Sequence, residues 1–223
     1  MRAILFDIDG TLVRTGGAGK AAMEAALCEE FGVRLNSEEI PYSGRTDVAI
    51  GHDLLAAHGI EPTANHARLV EGYLARLPYY LGRFPGRVCP GVTELLAELR
   101  KRSDVVLGLL TGNVRRGAER KLGHYGLWEN FVVGGFGDDH ADRDDLARAA
   151  LDSVERHVGG PVDPADVWVI GDTPLDVKCA RAIGARVAAV ATGWHHLEDL
   201  RASEPDLALA DLSDPAELLR AWA

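Results

Sequence analysis

Cysteine is scarce in this 223-residue chain, and the three present (Cys28, Cys89 and Cys179) are odd in number, far apart and in no metal-binding spacing. A disulfide framework and a thiolate metal site are thereby excluded, and reduced thiols in a cytoplasmic protein are expected. Long apolar runs are missing too. The opening run Ala3–Phe6 is broken by Asp7, too early for a secretory signal, and no stretch approaches the roughly 20 apolar residues of a membrane helix. Positive charge is in deficit, with 24 Lys and Arg against 34 Asp and Glu, a formal net charge of −10. Nucleic acid and anionic membrane surfaces are poor partners for such a chain. Internal repeats and low-complexity segments are absent as well. The length suits one α/β domain, or one with a modest insertion, and a chain of this size buries roughly 70–75% of its unfolded surface without staples.

What is present is a series of short apolar runs that end in polar residues. The first, Ala3-Ile4-Leu5-Phe6, leads into Asp7-Ile8-Asp9-Gly10-Thr11. Read as a strand over Ala3–Asp9, it places Asp7 and Asp9 on one side and turns Ile8 into the core. Two carboxylates that close repel, which calls for a raised pKa or a bound cation. Gly10 lets the chain turn, and Thr11 can satisfy loose backbone groups after it. From this segment alone, an Asp-rich turn after an edge strand is the competing interpretation.

Further strands are expected at Val105–Thr111, Phe131–Gly135, Val167–Asp172, Val187–Ala191 and Leu207–Leu212. Helices are expected between them at Val114–His124, Asp144–Val158 and Leu175–Ile183. This alternation predicts an α/β fold with a parallel sheet between two helical layers. The second strand ends in Thr111-Gly112-Asn113, and another ends in Gly171-Asp172-Thr173-Pro174-Leu175-Asp176. Arg143 lies between the two, among Asp138, Asp139, Asp142, Asp144 and Asp145. Polar residues just past the C-terminal ends of buried strands are where open parallel sheets build their sites.

Four such elements in this order resemble the haloacid dehalogenase superfamily, the aspartate-nucleophile phosphatases and their relatives. The resemblance covers nearly the whole chain and implies a Rossmann-like three-layer core. Asp7 would be the nucleophile that forms an aspartyl-phosphate, and Asp9 the acid for the leaving oxygen and then the base for water. The family's dehalogenases lack a second Asp at that position, so Asp9 points to phosphoryl transfer. Thr111, with backbone N–H groups near Gly112 and Asn113, would bind the phosphoryl group; Asn113 can equally cap the helix that follows. Arg143 stands where the family usually has Lys, and its fixed fork can orient a carboxylate and a phosphoryl oxygen together. An incidental Arg in a solvated acidic loop is the other reading. The cofactor implied is Mg²⁺, held by Asp7, the backbone carbonyl of Asp9, and Asp172. An acidic pocket needs such a cation before it can take a phosphate. Asp176 would support these ligands and also close a capping box with Thr173 ahead of Pro174.

The interval from about Thr15 to Arg87 holds no convincing strand, and amphipathic helices are expected at Gly19–Phe31, Val48–His58 and His66–Leu81. It resembles the small α-helical cap of the family, giving a core of residues 1–14 and 88–223 and a cap of 15–87. Gly16-Gly17 and the Pro85-Gly86…Pro90-Gly91 stretch would be the hinges, unless the helices pack as ordinary layers. Ser43-Gly44-Arg45-Thr46-Asp47 would be the specificity loop of the phosphoglycolate phosphatase-like and β-phosphoglucomutase-like branch. There Arg45 contacts a second anionic group of the substrate or is a solvated turn residue. Gly16-Gly17-Ala18-Gly19-Lys20 is not a P-loop, because Arg14 and Ala21 occupy required positions. His195-His196 reads as a surface helix start. The implied function is a Mg²⁺-dependent phosphatase of small phosphorylated metabolites, monomeric or homodimeric. A sugar phosphomutase is the alternative, although the hinge His of that branch is missing and Gly19 stands near its place. A non-catalytic phospho-acceptor signalling domain is the alternative of another class.

Overall fold

The computed structural model describes residues 1–35, 40–138 and 140–222; Asp139, counted above among the acidic neighbours of Arg143, lies outside them. The core elements are β1 (Arg2–Phe6), α4 (Val92–Leu99), β4 (Val105–Leu110), α5 (Arg115–His124), β5 (Val133–Gly135), α6 (Arg143–Val158), β6 (Val167–Gly171), α7 (Pro174–Ala182), β7 (Arg186–Val190), α8 (Leu197–Ala202), β8 (Leu207–Leu209) and α9 (Ala216–Ala221). Between β1 and α4 come β2 (Val13–Arg14), α1 (Ala18–Phe31), α2 (Asp47–Ala57), α3 (Pro62–Leu81) and β3 (Arg87–Val88). Six strands form one sheet in the order β5-β4-β1-β6-β7-β8, and every pairing is parallel.

The continuous apolar runs follow from burial on both faces. Ile4 and Phe6 of β1, Leu107 and Leu109 of β4, and Trp168 and Ile170 of β6 pack on one face against α4, α5 and α9. Ala3 and Leu5, Val106 and Leu110, and Val167 and Val169 pack on the other against α6 and α7. The three-layer α/β fold expected from the sequence is therefore the fold observed. Leu5 is fully buried on the central strand, so Leu5→Ala should cost about 2–5 kcal/mol in denaturant titration.

Local chemistry moves several boundaries. β1 stops at Phe6 rather than Asp9, because the N–H groups of Thr11, Leu12 and Val13 all turn onto the Ile8 carbonyl. Asp7 and Asp9 thus sit in the turn after the strand. α3 begins at Pro62, four residues earlier than its apolar pattern suggests. Glu61 caps it by accepting from Thr63 N and Ala64 N, and Pro62 fills the first position without wasting a donor. His196 is the N-cap residue of the short surface helix α8.

Helices α1, α2 and α3 share their own apolar cluster, with Met23, Leu27, Ile50, Leu54, Leu69, Tyr73 and Leu77 at its centre. The chain leaves for these helices and returns through a two-residue antiparallel ladder, Val13 opposite Val88 and Arg14 opposite Arg87. Two residues are too few to show a strand period, so the sequence reading placed only hinges here. Among the described residues no helix is long and apolar enough to cross a membrane.

Candidate active site

The carboxyl ends of β1, β4 and β6 meet the helical insertion at a cavity of about 690 Å³. Asp7, Asp9, Gly112, Asn113, Arg143 and Asp172 belong to its wall on the core side; Lys20, Tyr42, Arg45 and Tyr73 face them from the insertion. Asp7, Asp172 and Asp176 are all buried, and one oxygen of each lies within 4.8 Å of the others. Burial, then the charge of Asp176, push Asp7 up to about 7, against the pull of Arg143. Burial raises Asp172 well above the usual carboxylate range, with Asp176 and Asp7 adding to the effect. Asp7 and Asp172 in the cavity wall, both reluctant to ionise, with Asp176 close by, fit a divalent cation that would restore their charge. Oδ1 of Asp172 accepts from Thr11 Oγ1 at 3.2 Å. Its Oδ2 lies so close to Gly10 and Gly193 that a Cβ would stand 2.3 Å and 1.6 Å away, so both positions need glycine.

Arg143 is the first residue of α6, with Asp142 as N-cap accepting from Asp144 N at 2.9 Å. The solvated-loop reading is incorrect, since Arg143 is only 8% exposed. Its guanidinium pairs with Asp176 Oδ1 and lies 3.9 Å from Asp7 Oδ1. Burial opposes its charge, but Asp176 and Asp7 outweigh that cost and hold it protonated. Asp176 does two jobs at once. One oxygen takes Arg143, and the other takes Thr173 N at 3.0 Å and Thr173 Oγ1 at 2.7 Å to complete the capping box.

Thr111 is fully buried behind the cavity wall, where its hydroxyl accepts from Asn113 Nδ2 at 2.9 Å and Asn113 N at 3.3 Å. Asn113 does not cap α5, whose N-cap is Val114; its Nδ2 reaches Asp9 Oδ2 at 2.9 Å instead. Arg45 lines the cavity, but its guanidinium is already engaged by Asp53 at 2.7 Å and the Pro41 carbonyl at 3.1 Å. The neighbouring Asp47 fastens the insertion to the core. Its N–H donates to the Gly112 carbonyl at 2.7 Å, and its carboxylate accepts from Val114 N at 2.9 Å. Burial pushes the Asp47 carboxyl up to about 6, with Lys121 drawing it down.

Lys121 is the site residue that the sequence reading missed. It is 4% exposed and lies on the buried stripe of α5 with Gly117, Ala118 and Leu122. Its ammonium donates to Asp9 Oδ2 at 2.5 Å and Asn113 Oδ1 at 2.6 Å. A lysine in register with small and apolar residues was the signal that could have found it.

Residues 4–181 match the family model of haloacid dehalogenase-like hydrolase. The chain belongs to this haloacid dehalogenase-like family. A phosphoglycolate phosphatase of Synechococcus elongatus is 32% identical over 99% of the chain and 97% of its own length. Phosphoglycolate phosphatase 1 of Pseudomonas aeruginosa is 28% identical over 96% of the chain and 78% of its own length. The crystal structure of a hydrolase from Pseudomonas syringae shares the fold, with a TM-score of 0.74 at 23% identity and full coverage of both chains. In this haloacid dehalogenase-like hydrolase the four sequence elements named above converge on one cavity.

Proposed function

We propose that the chain is a Mg²⁺-dependent phosphatase that hydrolyses small phosphomonoesters, phosphoglycolate or a similar phosphometabolite, through an aspartyl-phosphate at Asp7. The observation that carries this reading is the buried Asp7–Asp172–Asp176 cluster against Arg143, with Asp9 on the same cavity. The phosphoglycolate phosphatases among the relatives support it. Asp7 and Asp172, with the Asp9 backbone carbonyl, would hold the Mg²⁺, whose charge would favour ionised Asp7 and offset that of the phosphoryl oxygens. Asp176 anchors Arg143, and Arg143 steers Asp7.

An oxygen of Asp7 bonds to phosphorus while the ester P–O bond breaks, and the leaving oxygen keeps that electron pair and takes a proton from Asp9. Asp9, now a carboxylate, removes a proton from water as the water oxygen bonds to phosphorus. The bond from phosphorus to Asp7 then breaks, its electrons return to the Asp7 carboxylate, and inorganic phosphate departs. Thr111 supports this chemistry through Asn113, whose N–H and side-chain amide it holds, and the backbone N–H of Gly112 would donate to the phosphoryl group. Gly19 leaves the hinge without the His of the mutase branch, which favours water over a sugar as the acceptor.

Phosphate release from a panel of monoesters tests the proposal. The cavity of about 690 Å³, with Tyr42, Tyr73 and Trp194 in its wall, calls for sugar phosphates and nucleoside monophosphates beside phosphoglycolate. Release should stop in EDTA and return with excess Mg²⁺. No release from any ester in the presence of Mg²⁺ would count against the phosphatase.

A further inference from the structure

We propose that Lys121 is a positioning residue that fixes the proton-carrying Asp9, and that Gly19 is bare because a side chain there would displace the Lys121 ammonium. The inference rests on the phosphatase reading above. The Asp9 side chain is 43% exposed at the cavity, so packing alone does not hold its rotamer. Lys121 and Asn113 supply the constraint. Both donate to the same oxygen, Oδ2 of Asp9, and Lys121 also donates to Asn113 Oδ1, which closes a ring of three side chains. Thr111 anchors the ring by accepting from Asn113. With Oδ2 occupied twice, Oδ1 is the oxygen that gives and takes the proton at the reacting ester.

The insertion completes the arrangement from above. A Cβ at Gly19 of α1 would stand 3.2 Å from Lys121 Nζ and 3.4 Å from its Cε, closer than the ammonium tolerates without moving. Asp47 of α2 adds a second favourable charge to that of Asp9. A buried lysine is costly unless its charge is matched, and here every partner lies at the junction of Asp9 and the insertion. Lys121 therefore links the seating of α1 and α2 to the geometry of the proton carrier on the core. Nothing in this role requires contact between Lys121 and the phosphoryl group.

The leaving group separates positioning from a structural role. An alkyl oxygen needs Asp9's proton to depart, whereas 4-nitrophenolate leaves without one. kcat/KM reports the steps up to phosphoenzyme formation, so it isolates this proton. In Lys121→Met, assayed with Mg²⁺, the ratio of alkyl-ester to 4-nitrophenyl-ester kcat/KM should fall about 100-fold, the usual scale of positioned acid catalysis. Gly19→Ala should shift the ratio the same way by a smaller factor, and it improves helix propensity. It therefore carries the same comparison should Lys121→Met fail to fold. An unchanged ratio in both variants, even with both esters slowed, would overturn the assignment of Lys121 alone. An inactive wild type would overturn the phosphatase reading together with it.

Discussion

Asp7→Asn is expected to abolish phosphate release and yet stabilise the metal-free protein at pH 8. Activity should fall by at least about 10⁴-fold, the scale seen when a covalent nucleophile is removed. The stability effect follows from burial, which together with Asp176 raises the Asp7 carboxyl from 3.8 to about 7. Between those values the folded chain keeps a proton that the unfolded chain has released. Stability is thus intact below about pH 4, declines as pH rises through 7, and is lower by on the order of 4 kcal/mol above it. Asparagine cannot ionise and escapes this loss. Urea titrations in EDTA should show the variant more stable than wild type at pH 8, with the gap closing towards pH 4. Mg²⁺ should stabilise wild type at pH 8 more than it stabilises the variant. A site that holds its reactive carboxylate at the expense of stability is what the proposed chemistry requires.

Arg143→Met should be the most damaging single change to fold and activity together. The guanidinium is 8% exposed, pairs with Asp176 and faces Asp7. Its loss leaves buried carboxylates without their matched charge, at a cost of about 3–5 kcal/mol. Loss of the group that steers Asp7 should lower kcat by about 10³-fold. Arg143→Lys should recover most of the stability and part of the rate. An ammonium supplies the charge but not the planar fork that reaches two carboxylates. Thermal melts and steady-state kinetics on the two variants would separate these effects. Equal rates for Arg143→Met and wild type would refute a role at the site.

The parts legible in the sequence are those that a short local pattern encodes. Val105–Leu110 and Val167–Gly171 announce buried parallel strands by unbroken apolar runs, and the residues that follow them mark the site. Asp176 was legible as support for the metal ligands and as the end of a capping box; the fold shows the capping box and adds an ion pair with Arg143 that the sequence did not announce. Lys121 was not legible as a site residue, because α5 carries Arg115, Arg116, Glu119 and Arg120 beside it and reads as a solvated helix. Its register with Gly117, Ala118 and Leu122 was the one local mark, and the approach of α1 and Asp9 shows why that charge is buried. The ion pair of Arg45 was not legible for a related reason. Its partner Asp53 lies two turns along the next helix, and nothing local shows that the pair closes. The two-residue ladder of Val13–Arg14 with Arg87–Val88 joins segments more than seventy residues apart, beyond the reach of any periodicity.

The most direct test of the central claim, a covalent phosphoryl group on Asp7, is rapid-quench kinetics of Asp9→Asn with 4-nitrophenyl phosphate and Mg²⁺. That ester needs no proton to leave, so the first step survives, while water attack on the intermediate loses its base. The prediction is a burst approaching one equivalent of 4-nitrophenol per chain, with the phosphoryl group mapped to Asp7 in the acid-quenched peptide. Steady release without a burst, beside an active wild type and an unmodified Asp7 peptide, would contradict it.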